Sequence, residues 1–147
     1  MPWTLIIAED DEHLRSSLAS DLQELLPGDV RIEDAPTVDD AFRRIDVASR
    51  DARGLAACAT IHPDPSGAPG AWQLRAVATR ADVRGAGHGR AVVEACLAHA
   101  WAREARLVWC HGRVGARGFY ERLGFRAVSD VYEVPVSGPH VRMERAR

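Results

Sequence analysis

The segment Val83-Arg84-Gly85-Ala86-Gly87-His88-Gly89-Arg90 places glycines at alternate positions between a β-prone run and a helical one. Glycine there lets the backbone turn tightly and approach a ligand without interference from a Cβ. The first amides of the following helix lack intrahelical partners and converge on one spot, where the helix dipole adds positive potential. Such a turn can cradle a pyrophosphate; taken alone it can equally be a turn without a ligand. A P-loop is excluded because no Gly-Lys-Ser/Thr follows and all 19 basic residues of the chain are arginine. A dinucleotide-binding fingerprint fits poorly too, since the first strand–turn–helix of the chain lacks glycine. The lack of lysine also removes Schiff-base chemistry. Cys58, Cys96 and Cys110 have neither metal-ligand spacing nor the number needed for a disulfide framework. No metal site is expected, and the expected setting is reduced and cytoplasmic.

The elements that position this turn follow from periodicity. Residues 72–79 read as the strand before it. Val92, Val93, Cys96, Leu97, Ala100 and Trp101 mark an amphipathic helix after it, over about 87–103, with Val93, Leu97 and Trp101 inward. Residues 55–62 pair with 72–79 as a hairpin, joined by the Pro- and Gly-rich stretch 63–70. Further on come a strand at 107–111, a short helix at 116–123, and strands at 125–134 and 139–145. Before the hairpin, the pattern gives a strand at 4–8, a helix from Asp10 or Asp11 through Leu14, Leu18, Leu22 and Leu25, and a weak strand at 30–33. A second helix follows from Pro36, with Val38, Ala41, Phe42 and Ile45 on one face, then a polar turn at 50–54. The sum is an α/β domain with a mixed, twisted central sheet and helices on both faces.

The chain has 147 residues and a formal net charge of −2, one domain's worth with no general nucleic-acid or membrane-surface character. The start, Met1 to Ala8, turns acidic at Glu9, Asp10 and Asp11, so a signal peptide is not expected. No apolar run approaches the ~20 residues of a membrane span.

Two ordered motifs carry a family resemblance. Arg84-x-x-Gly87-x-Gly89 after a strand and before a long helix, followed by Gly118-Phe119-Tyr120-Glu121-Arg122-Leu123-Gly124-Phe125, resembles the GCN5-related N-acetyltransferase (GNAT) superfamily over residues 53–145. The resemblance implies acetyl transfer from acetyl-CoA to a primary amine of a small molecule or peptide, in a monomer or homodimer. It implies cofactor contacts from backbone at Val77, Ala78 and Thr79, and from the loop Arg84, Gly85, Ala86, Gly87, His88, Gly89 and Arg90. Tyr120 stands at the position of the family's general acid, and an unperturbed phenol is a reasonable acid toward a thiolate. The base is not identified: His111, Glu133 and His140 are the candidates, each able to act through a water. For His88 the backbone amide matters more than the ring.

The first 50 residues depart from that pattern. Leu5-Ile6-Ile7-Ala8-Glu9-Asp10-Asp11-Glu12-His13-Leu14-Arg15 resembles the opening of a response-regulator receiver domain, with no phosphoacceptor aspartate and no lysine to complete it. Asp10 and Asp11 then read as a helix start. Strand 4–8 is expected in the common sheet beside the hairpin, because fifty residues build little core of their own. The alternative function is a non-catalytic acyl-CoA-binding module, or a recombined (chimeric) fold without activity.

Overall fold

The computed structural model describes residues 3–8, 30–35 and 45–147. Along the chain these form β1 (Trp3–Ala8), β2 (Val30–Ala35), β3 (Ile45–Asp51), β4 (Gly54–Pro63) and β5 (Ala71–Thr79). Helix α1 (His88–Ala102), β6 (Leu107–Arg113), the short helix α2 (Arg117–Arg122), β7 (Arg126–Ala127), β8 (Tyr132–Val134) and β9 (Gly138–Ala146) follow. The strands form one sheet in the order β2-β1-β3-β4-β5-β6-β9-β7, with β8 also on β9. Pairing is mixed: β1–β2 and β5–β6 are parallel, and the remaining pairs are antiparallel.

Alternation along the strands gives the sheet two different faces. Val47, Ala57, Ala59, Ile61, Trp72, Leu74, Val108, Cys110, Val141 and Met143 are buried in one core with α1. Small residues on β4 let the helix approach closely. α1 contributes Ala91, Val92, Val93, Ala95, Cys96, Leu97 and Ala100 to this core, and Trp101 is half-buried against it. α2 lies on the same face, because a Cβ on Gly112 would meet the Tyr120 ring at 3.3 Å and one on Gly89 would meet Phe119 at 3.5 Å. The opposite face carries Asp46, Thr60, Gln73, Arg75, Trp109, His111 and Arg142, which alternate with core residues on their strands.

Several expectations need correcting. Ile45 lies in β3, not on a helix face, and the polar stretch 50–54 is the end of β3 and a tight turn into β4. The alternation in Asp46-Val47-Ala48-Ser49-Arg50 is faint because one of its two buried positions is a serine. β1 is in the common sheet, but β3 stands between it and the 54–63 strand. The single strand expected over 125–134 is two short ones, β7 and β8, with 128–131 unpaired as strand. The helices expected over about 11–26 and from Pro36, and the acidic pair Asp10–Asp11, lie outside the described residues.

Ser49 is buried because it partners a second buried polar group. Its hydroxyl lies 3.0 Å from His88 Nδ1, which ties the start of α1 to β3. Burial lowers the His88 pKa below its ordinary 6.5, against the opposing pull of Asp51. The native ring is therefore neutral where the unfolded one begins to take a proton. Its contribution is present above pH 6.5 and is lost as pH falls below it. Urea denaturation between pH 7 and 5 should show stability falling with pH. His88→Gln should flatten that slope. An unchanged slope would assign it to other groups, of which His111 shifts in the same direction.

Candidate active site

β5 and β6 run side by side in parallel but pair only at Ala71–Leu107, Trp72–Val108 and Gln73–Trp109. Past that point they part: β5 continues on β4, and β6 continues on β9. A wedge opens in the middle of the sheet, and the backbone groups facing it have no strand partner among the described residues. Such groups seek a ligand or water. The β5 wall also bulges. Arg75 to Ala78 on β5 spans the same length as Cys58 to Thr60 on β4, and Ala76 takes a left-handed φ of 51°. A bulge re-aims the local peptide groups. Here the Ala76 carbonyl accepts from the Cys58 thiol at 3.5 Å. Val77, Ala78 and Thr79 line the open edge just beyond the bulge.

At the end of that edge lies the glycine turn. Arg80 anchors its base: its guanidinium reaches Asp51 at 2.6 Å, Asp82 at 2.5 Å and the Leu55 carbonyl at 2.9 Å. These hydrogen bonds hold the Asp82 and Asp51 carboxyls below their ordinary pKa. A single 3-10 turn, Ala81–Val83, leads into Gly85 at φ 82° and Gly87 at φ 94°. Gly87 is the residue before α1, and the Ala91 N–H is bonded back to its carbonyl. A Cβ on Gly85 or Gly87 would meet no protein atom within 4 Å, so the space above these residues is open. Gly89 differs: its Cβ would stand 2.7 Å from Thr79 Oγ1, so this glycine serves helix–strand contact. Arg84, Ala86 and Arg90 are exposed around the opening, Arg90 with Glu94 at 3.8 Å.

At the apex of the wedge, on the α1 side, is Tyr120. It is 7% exposed, with its ring edge-on to Phe119 and Phe125. Its hydroxyl lies beside the thiol of Cys110, the first β6 residue past the last β5–β6 pair. Burial, with Cys110 beside it, raises the phenol pKa well above 10, so the oxygen keeps its proton. Burial pushes the Cys110 thiol up to about 12. On the other side of β6, His111 Nδ1 lies 2.5 Å from the Tyr132 hydroxyl. Trp109 and Tyr132 meet its ring edge-on. Partial burial, then Arg142, His140 and Arg75, lower the His111 pKa, so the imidazole is neutral at physiological pH. His140 stacks on Tyr132 and its Nδ1 is held by the Gly138 carbonyl at 2.8 Å. Glu133 is exposed and pairs with Pro139 across β8–β9, so strand alternation turns it away from Tyr132 and His111.

The profile of the Acetyltransferase (GNAT) family matches residues 10–125. The chain belongs to this family. Solved structures similar to it include ElaA of Escherichia coli (18% identity, TM-score 0.66, covering 96% of this chain and 97% of that one). A GCN5-related N-acetyltransferase from Kribbella flavida is similar at 17% identity and TM-score 0.64, covering 97% and 98%. An acyl-CoA N-acyltransferase from Pseudomonas aeruginosa is similar at 21% and 0.61, covering 98% of each chain. No curated protein matches in sequence.

Within this GNAT domain, three segments far apart in sequence meet at the wedge: the β5 edge with its glycine turn, the β6–α2 segment, and β8–β9. Tyr132 is the site residue that sequence reasoning missed. Nothing near it in the chain marks it; its partners His111 and His140 come from two other strands. A cavity of about 590 Å³ between Asp64, Gly70, Arg103 and Arg147 is at the opposite end of β5 and takes no part in the wedge. Among the described residues no cluster of metal-ligating side chains occurs, and no helix is long and apolar enough to cross a membrane.

Proposed function

We propose that this GNAT-family chain is an N-acetyltransferase that moves an acetyl group from acetyl-CoA to the primary amine of a small molecule or peptide. The observation that carries this reading is the parting of β5 and β6 between a left-handed glycine turn at one end and the Tyr120 hydroxyl at the apex. The residues fit an acyl-CoA: Gly85 and Gly87 leave open the space that a Cβ would enter, beside the first amides of α1. Acetyl-CoA, when bound, supplies an acyl carbon activated as a thioester.

Each remaining task falls to a residue of this chain. The amides of the glycine turn, with Arg84 and Arg90 at its rim, hold the pyrophosphate. The open edge of β5 at Val77, Ala78 and Thr79 holds the amide-bearing arm by strand-like hydrogen bonds. The acceptor amine must be neutral to attack, and His111 is the residue to take its proton, directly or through a water. For that, Nε2 must carry the lone pair, so Nδ1–H donates to the Tyr132 oxygen. The new N–C bond forms as the C–S bond breaks, and Tyr120 gives its proton to the leaving sulfur. His140 sets the Tyr132 ring behind His111, and Glu133 is left without a role. Three free cysteines support a cytoplasmic setting.

Acetyl-CoA-dependent thiol release across a panel of primary amines tests the reading. Release that requires both amine and protein supports it, and its absence with every amine counts against it. Gly87→Val should weaken CoA binding more than tenfold by calorimetry; the added side chain meets open space and not protein, but the left-handed φ of 94° strains it, so a thermal melt of the variant accompanies the measurement. Equal affinity in the variant would remove the glycine turn from the donor site. A second reading treats the first strands as a recombined half without activity. The parallel β1–β2 pair supports it. The family match from residue 10 onward and the near-complete coverage of the similar structures support a continuous domain.

A further inference from the structure

Arg75 stands on β5 between the last β5–β6 pair and the bulge at Ala76, on the sheet face that carries His111. Trp72 and Leu74 point into the core with α1, so alternation turns Arg75 to the other face, where it is exposed. On their parallel strands Arg75 and His111 each stand two residues beyond the Gln73–Trp109 pair, on the same face and on opposite sides of the opening. Among the described residues Arg75 has no ion-pair or hydrogen-bond partner.

Three other charges near Arg75 on this face are committed. Arg142 donates to Glu144 at 2.7 Å and lies 4.1 Å over the Trp109 ring. Asp46, in the same cross-strand row as Arg75, is two strands away, about 10 Å, and takes the Thr60 hydroxyl at 2.5 Å. Asp64 accepts from Trp109 Nε1 at 2.6 Å and from the Ser66 amide at 2.7 Å. What remains beside the wedge, among the described residues, is the guanidinium of Arg75 on the β5 side, with His111 and, two residues further along β6, the exposed Arg113 on the other.

We infer that the acceptor is a small amino-acid-like molecule, whose amine meets His111 while its carboxylate is held by Arg75. The inference rests on the acetyl-transfer reading for the identity of the reacting amine. A guanidinium offers two parallel N–H donors matched to a carboxylate, a geometry that an ammonium or amide lacks. Arg75 is thus a specificity-determining residue, and the site selects against amines without an anionic group.

The experiment compares glycine, leucine and glutamate, each with its α-carboxamide, a change that removes one negative charge and keeps the amine. Equilibrium binding to the CoA-saturated protein by NMR titration is measured beside kcat/KM for thiol release, for wild type, Arg75→Gln and Arg75→Lys. Wild type should prefer at least one acid over its amide by tenfold or more. Arg75→Gln should bring that ratio to within about twofold of unity, and Arg75→Lys should keep part of it. Amides bound or used as well as the acids by wild type, no acid bound at all, or a ratio unchanged in Arg75→Gln would each overturn the inference. Should no amine be acetylated, the acetyl-transfer reading fails, while the binding ratios still decide the role of Arg75. CoA affinity of each variant reports that the fold is intact.

Discussion

Replacing Tyr120 with phenylalanine is expected to lower kcat by about 10²–10⁴-fold, the usual cost of losing a positioned general acid. The KM for acetyl-CoA should change little, because the ring stays packed between Phe119 and Phe125 and only the O–H is lost. The structural cost is the polar contact with the Cys110 thiol, about 1 kcal/mol at most, so a thermal melt separates the two roles. A variant that melts close to wild type and turns over hundreds of times more slowly places the hydroxyl in the chemistry. Unchanged kcat would leave Tyr120 as a packing residue. Burial at the apex keeps the hydroxyl protonated, and the same burial makes it a weaker acid than a free phenol, so the proton moves only as charge develops on the departing sulfur.

Leu97→Asp is expected to unfold the domain. Leu97 is 1% exposed in the centre of α1, and the helix covers β3, β4 and β5 at once. An unpaired carboxylate in that core costs several kcal/mol, a large share of the ~5–15 kcal/mol that holds a domain together. Leu97→Ala, which leaves only a cavity, should cost about 2–5 kcal/mol and still melt cooperatively. Circular dichroism melts of the two variants check this. If the aspartate variant melted like wild type, the packing of α1 against the sheet would be wrong.

Most of the second half of the fold was legible in the sequence, for physical reasons that particular residues illustrate. α1 is apolar along most of its length and has a glycine at the left-handed position before it. β4 and β5 are apolar, β-prone runs separated by prolines and glycines. β3 was hidden because Ser49 fills an inward position, and its partner His88 is 39 residues away. The bulge was hidden because Ala76, not glycine, takes the left-handed backbone angle. In the site, the glycine turn and Tyr120 were visible as local motifs. Their relation to the wedge, and the His111–Tyr132 contact 21 residues apart, exist only once the strands are assembled.

The three-pair seam between β5 and β6 has a mechanical meaning. On one side stand β2, β1, β3, β4 and β5, and on the other β6, β9, β7 and β8. Each block is knit by long ladders, β3–β4 on one side and β6–β9 on the other, while the seam has only Ala71–Leu107, Trp72–Val108 and Gln73–Trp109. The sheet is thus two leaves on a short hinge, with the side chains of α1 and Tyr120 packed beneath the fold line. Anything that bonds to both free edges acts as a staple across the leaves. By mass action such a ligand shifts the whole chain toward its native state. Amide exchange along Leu74–Thr79 and Cys110–Arg113 would slow together when the staple is in place, though these stretches do not touch each other as strands.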